Sequence, residues 1–199
     1  MYLTKNTAKI LKFFVGKINE TFTLREVARQ LKMHVSLVHR AIQPLIQAKI
    51  IESNKHKNLK LNYKGNHETI IFAEYLRRED YFNRFKEIKL FTQEILKKNK
   101  QESFVLIVFG SSVESNKPRD IDILLIVEGK EKINFYEKFL DNITSNYSSN
   151  LECSVISFES VYEMLLHHDE KNIMNEILNK HIILYGAELF YRFLERGRL

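Results

Sequence analysis

Phe104-Val105-Leu106-Ile107-Val108-Phe109 is an unbroken apolar run that stops at Gly110-Ser111. After eight intervening residues, Asp120-Ile121-Asp122 opens a second run, Ile123-Leu124-Leu125-Ile126. Short apolar runs bounded by turn residues read as buried strands. Side chains alternate along a strand, so Asp120 and Asp122 share one face while Ile121 and Ile123 point into a core. Two neighbouring carboxylates repel unless a cation lies between them. Hard divalent ions such as Mg²⁺ take carboxylate oxygens and keep positions open for substrate phosphates. A glycine at the strand end lets backbone approach a phosphate closely, and Ser111 adds a hydroxyl donor.

Strand, Gly-Ser, a short loop and Asp-x-Asp on the next strand resemble the polymerase-β-like nucleotidyltransferase superfamily, especially its small minimal members. The resemblance runs from about residue 80 to 190, and His181-Ile182-Ile183-Leu184-Tyr185-Gly186 is similar to the family's terminal strand and turn. It implies a small mixed sheet with flanking helices. It implies further that Gly110 and Ser111 hold a triphosphate, and that Asp120 and Asp122 bind two Mg²⁺ ions when nucleotide is present. A third carboxylate is expected from a later strand, and Glu152 in Leu151-Glu152-Cys153-Ser154-Val155-Ile156 is the candidate. The chain departs from the family pattern at Ser112-Val113-Glu114-Ser115, at Arg119, and in having Glu at the third acidic position.

Charge is divided unevenly. Residues 1–66 carry thirteen Lys and Arg against three Glu, a net +10, whereas the remainder carries eighteen against twenty-two, a net −4. A basic segment of this kind suits a polyanionic partner. Thr4 to Val15 reads as a helix, with Ile10, Leu11, Phe14 and Val15 facing inward. Thr23-Leu24-Arg25-Glu26 is a capping box, and Leu24, Val27, Ala28 and Leu31 form one stripe behind it. A tight turn at Lys32-Met33-His34 leads to a third helix, from about Val35 to Ala48, whose inner face is Val38, Ile42 and Leu45. Ile50 to Ser53 and Leu59 to Asn62 then form a hairpin around Asn54-Lys55-His56-Lys57.

Residues 7–64 resemble the winged-helix DNA-binding domains of prokaryotic regulators, a helix-turn-helix followed by a basic wing. His34 stands where Ser or Thr commonly caps the reading helix, and Pro44 inside that helix implies a bend. Ser36, His39, Arg40, Gln43 and Gln47 lie on the helix's outer face, where Arg and Gln can read base edges in the major groove. Lys55, His56, Lys57 and Lys60 are placed to meet phosphate.

The expected fold class is therefore α+β: a winged helix over residues 1–66, connecting helices over 67–100 and a nucleotidyltransferase-like domain over 101–199. Residues 68–99 lack Gly and Pro and carry Ile71, Tyr75, Phe82, Phe85, Ile88, Phe91 and Ile95 on helical spacing. Helices are also expected at Lys132–Tyr147, Tyr162–Leu166 and Asn172–Leu178. His167-His168-Asp169-Glu170 reads as a polar turn, since adjacent histidines on a helix diverge. Cys153 is the sole cysteine, so an intrachain disulfide is excluded and a reducing compartment is expected. No stretch has membrane-span length and no signal peptide is visible, which points to the cytoplasm.

Two functions remain open. One is transfer of a nucleoside monophosphate, with ATP the default donor, to a hydroxyl of a protein, nucleic acid or small molecule. Some small family members are antitoxins that adenylylate a partner toxin, which makes a protein acceptor fit. The other is a non-catalytic transcriptional regulator that keeps the fold as a nucleotide sensor or dimerisation module. A homodimer pairing two winged helices on duplex DNA is expected in either case.

Overall fold

The structure, a computed structural model, describes residues 3–99, 102–167 and 170–197. It is α+β, and the chain divides into two compact units, 1–76 and 77–199.

In the first unit, α1 (Lys5–Val15) starts at Thr4, whose hydroxyl accepts from Thr7 N at 3.2 Å. Its buried face includes Ile10, Leu11, Phe14 and Val15. α2 (Leu24–Leu31) opens on the expected capping box: Thr23 N donates to Glu26 Oε2 at 2.7 Å and Glu26 N donates to Thr23 Oγ1 at 3.3 Å. Two orphan amides are satisfied reciprocally, and these bonds hold the Glu26 carboxyl below its usual pKa. Of the α2 stripe, Val27 and Ala28 are buried, while Leu24 and Leu31 at the helix ends are half-buried. Lys32 adopts the left-handed conformation that ends α2. α3 (Val35–Gln47) then begins at His34, whose imidazole takes the capping role itself by accepting from Ser36 N. α3 runs through Pro44 and buries Val38, Ile42 and Leu45.

β1 (Ile51–Ser53) and β2 (Leu59–Leu61) pair antiparallel, Ile51 opposite Leu61. Phe22, ahead of α2, adds an unforeseen rung to this hairpin: Phe22 N donates to Leu59 O at 2.9 Å and Leu59 N to Phe22 O at 2.7 Å. The turn is tied by Asn54 Oδ1, which accepts from His56 N and Asn58 N.

α4 (His67–Arg84) begins in the first unit and ends in the second, so the division falls inside a helix. α5 (Lys86–Lys98) follows after Phe85 and belongs wholly to the second unit. The sheet there contains β3 (Phe104–Phe109), β4 (Ile121–Val127), β5 (Leu151–Ser157) and β6 (His181–Tyr185) in the order β5-β4-β3-β6. Only β4 and β5 run parallel, joined by the crossover helix α6 (Ile133–Thr144). β3 is buried along its whole length, as its continuous apolar sequence requires of a strand covered on both faces.

One face packs Ile88, Phe91 and Ile95 of α5 and Tyr136, Leu140 and Ile143 of α6 against Leu106, Val108, Ile121 and Ile123. The opposite face is met by α7 (Phe158–Leu166) on β4 and, beyond the short α8 (Ile173–Ile177), by α9 (Ala187–Gly197) on β3. α9 was not anticipated, although Phe190, Phe193, Leu194 and Gly197 carry the i, i+3, i+4, i+7 spacing. The edge strand β6 is covered at two carbonyls: Arg77 donates to His181 O, and Arg78 Nη1 donates to Leu184 O at 3.3 Å.

Cys153 is half-buried on β5, and burial, with Asp141 adding to it, pushes its thiol up to about 12. The thiolate is the reactive form. The native chain is therefore expected to take up iodoacetamide far more slowly than the urea-unfolded chain at mildly alkaline pH; equal rates would contradict this burial.

Candidate functional site

β3 and β4 are antiparallel neighbours, so the end of one meets the start of the other. Phe109 lies opposite Asp122, which brings Gly110 beside the Asp-x-Asp segment. The parallel pairing of β4 with β5 sets Asp122 opposite Glu152. Asp120 stands one residue before β4 and is half-buried, as is Asp122, whereas Glu152 is exposed. Asn150 Nδ2 donates to Glu152 Oε1 at 3.3 Å, and Asn150 O accepts from Ile121 N at 2.9 Å, which ties the heads of the two strands together.

The Asp122 carboxyl is raised above its ordinary pKa, first by burial, then by the charges of Asp120, Glu152 and Glu176. Three further carboxylates thus act on one partly desolvated aspartate. Glu176, on α8, was not found by sequence reasoning. Its position depends on β6, whose first residue, His181, pairs with Phe109 at the same end of the sheet. That long-range pairing, together with the packing of α8 against α7, carries residue 176 to the site.

Gly110 is buried, has φ +72°, and starts a single 3₁₀ turn, Gly110–Val113. A Cβ there would lie 2.5 Å from Asp122 Oδ2 and 3.7 Å from Glu176 Oε1. The Asp122 carboxylate thus packs directly against the bare α-carbon, in space that a side chain at residue 110 would need. Gly110→Ala is expected to cost about 1–2 kcal/mol from the left-handed backbone alone, and to displace Asp122. Urea denaturation checks this, and unchanged stability would show that the turn relaxes freely. Ser111 next to it is exposed, while Ser112 is fully buried.

Other elements brace this turn. Arg84 at the end of α4 donates through Nη2 to Val113 O at 2.9 Å and through Nη1 to Asn116 Oδ1 at 3.3 Å. Its guanidinium lies 5.2 Å from the ring centres of both Tyr81 and Phe85. Lys180 Nζ meets Glu114 Oε2 at 3.0 Å. The buried Tyr81 hydroxyl lies beside Ser112 without a hydrogen bond of ordinary length. Tyr81→Phe is accordingly expected to leave thermal stability unchanged or raised, because an unsatisfied buried hydroxyl costs free energy; a fall of several degrees in the melting temperature would show a bond to Ser112.

Among the described residues, no group of three or more His, Cys, Asp and Glu side chains stands as a cage for a metal ion. Mg²⁺ does not need such a cage: it is held by one or two carboxylates, with waters and substrate phosphates completing its shell. An all-oxygen donor set in excess negative charge, at the end of a strand where Gly110 leaves the backbone bare, fits that mode. His168 and Asp169 of the polar turn lie outside the described residues.

In the first unit, Ser36, His39 and Arg40 are exposed on α3, and Gln43 is half-buried on the same side. Ser36 is not a free donor, since its hydroxyl is paired with His34 Nδ1 at 2.8 Å. Lys55, Lys57 and Lys60 are exposed on the hairpin. No protein-family model, curated protein or solved structure matches the chain. The functional reading therefore rests on these residues and on their placement. Among the described residues, no helix is long and apolar enough to cross a membrane.

Proposed function

We propose that the second unit is a metal-dependent nucleotidyltransferase and that the first unit binds duplex DNA. The observation that carries the first half is the excess of carboxylate charge on Asp122, set opposite Glu152 and against the bare α-carbon of Gly110. Asp120 and Asp122 would hold two Mg²⁺ ions with the nucleotide, and Glu152 would complete the set. When bound, the ions supply charge neutralisation to the attacking and leaving oxygens.

The remaining work falls to the chain. Gly110 and Ser111 bind the triphosphate of ATP or another NTP. The acceptor hydroxyl oxygen forms a bond to the α-phosphorus, the bond from that phosphorus to the bridging oxygen of the β-phosphate breaks, and pyrophosphate leaves. The hydroxyl proton passes to Glu152. Most of the acceleration in such a transfer is positioning and electrostatic stabilisation. The acceptor class is a protein, nucleic-acid or small-molecule hydroxyl. Pairing of two chains as a homodimer would present two α3 helices to a two-fold DNA site.

The +10 charge of residues 1–66 favours a second reading, a DNA-binding regulator whose sheet unit senses nucleotide without turning it over. One experiment separates the two. Pyrophosphate release from ATP and Mg²⁺, assayed with DNA, cell protein and small-molecule fractions as acceptors, is expected for the wild type and absent in Asp120→Ala. Tight Mg²⁺-ATP binding with no pyrophosphate from any fraction would leave the sensor.

A further inference from the structure

The first turn of α3 leaves two apolar side chains in solvent. Val35 is 40% exposed and Leu37 38%, whereas Val38, Ile42 and Leu45 of the same helix are fully buried. They flank the polar stripe. Leu37 is one turn before Arg40 and Val35 one turn before His39, the spacings at which helical side chains are neighbours. Ser36 between them has its hydroxyl committed to His34. The first turn thus offers a potential partner two apolar contacts and a hydroxyl already in use.

We propose that Leu37 and Val35 read the 5-methyl groups of thymines in the major groove, next to the base read by Arg40. This rests on the DNA-binding half of the proposed function. In helix-turn-helix docking, the residues at the start of the reading helix are those that reach base edges. The thymine methyl is the one apolar group that the major groove displays, and apolar side chains are its natural contacts. Charge complementarity commits the surface to DNA: the exposed Arg40, Lys55, Lys57 and Lys60 belong to the same +10 segment, a poor match for an apolar protein partner and a good one for a polyanion. The consequence is a site preference for T·A pairs beside a guanine.

The test uses the full-length chain. Duplexes are selected from a random library at low salt, and the winning duplex is resynthesised with deoxyuridine for thymine, one position at a time, which deletes only the methyl. The wild type is expected to lose about four-fold in affinity at one or two positions, the worth of one buried methyl group. Leu37→Ala should bind the thymine duplex more weakly and be indifferent to deoxyuridine at one of them, while Leu37→Met keeps the preference. An unchanged melting temperature shows that the exposed substitutions leave the fold intact. Selection of a sequence that binds equally with thymine and deoxyuridine would overturn this proposal and leave DNA binding standing. A chain that retains no duplex at low salt would overturn both. A change of mass in solution on Leu37→Ala, with the deoxyuridine penalty unmoved, would assign the surface to a second copy and overturn it as well.

Discussion

Asp122→Asn is expected to lower Mg²⁺-dependent nucleotide affinity by at least about 100-fold, the upper end of what loss of even an outer-shell partner costs a metal site, and at the same time to raise the melting temperature of the metal-free chain. The second effect follows from the sign of the pKa shift. The folded carboxyl sits above its ordinary value of 3.8 because burial and the charges of Asp120, Glu152 and Glu176 disfavour the anion. The folded chain therefore holds this proton more tightly than the unfolded chain. Stability from this group is full below the ordinary aspartate pKa and declines as pH rises through the raised one. At neutral pH Asp122 works against the fold, and an uncharged amide removes the penalty. In the wild type, Mg²⁺ with nucleotide should raise the melting temperature, since a ligand that binds only the folded form stabilises it; the variant should not respond. Calorimetry with and without Mg²⁺-ATP checks both effects. A variant less stable than the wild type, or one that still binds nucleotide tightly, would remove Asp122 from the centre of the site.

The affinity of the chain for duplex DNA is expected to fall about 40-fold between 50 and 200 mM salt, taking Lys55, Lys57 and Lys60 as three phosphate contacts with a slope of about −2.7. Lys55→Ala with Lys57→Ala should cut that slope to about a third and weaken all sequences alike. Arg40→Ala should instead blunt sequence preference. Fluorescence anisotropy across a salt series separates the two effects. A salt-independent affinity would assign the hairpin lysines to solubility alone.

Interactions closed within a few residues were the legible ones. The Thr23–Glu26 capping box forms as read, because both partners sit in one helical turn. The two strands around the Gly-Ser pair, and the buried Ile121 and Ile123, follow from alternation and apolar content alone. The placement of Glu152 needed a parallel crossover, whose register no local pattern fixes. Glu176 was beyond reach because α8 is only five residues long and is positioned by the pairing of β6 with β3. The outer-face position of Ser36 is legible from helical spacing, whereas the pairing of its hydroxyl with His34 is a local cap that helix propensity does not single out.

Two of the five carbonyls along β6 are held by the guanidinium groups of Arg77 and Arg78. An edge strand otherwise offers a template on which another chain can add hydrogen-bonded strands. With those acceptors engaged by bulky cations, a neighbouring copy has no clean ladder to join at that margin. Growth of the sheet across molecules, whether into an ordered dimer or into fibrils, is thereby discouraged at β6. Pairing of copies of this chain is thereby favoured at other surfaces.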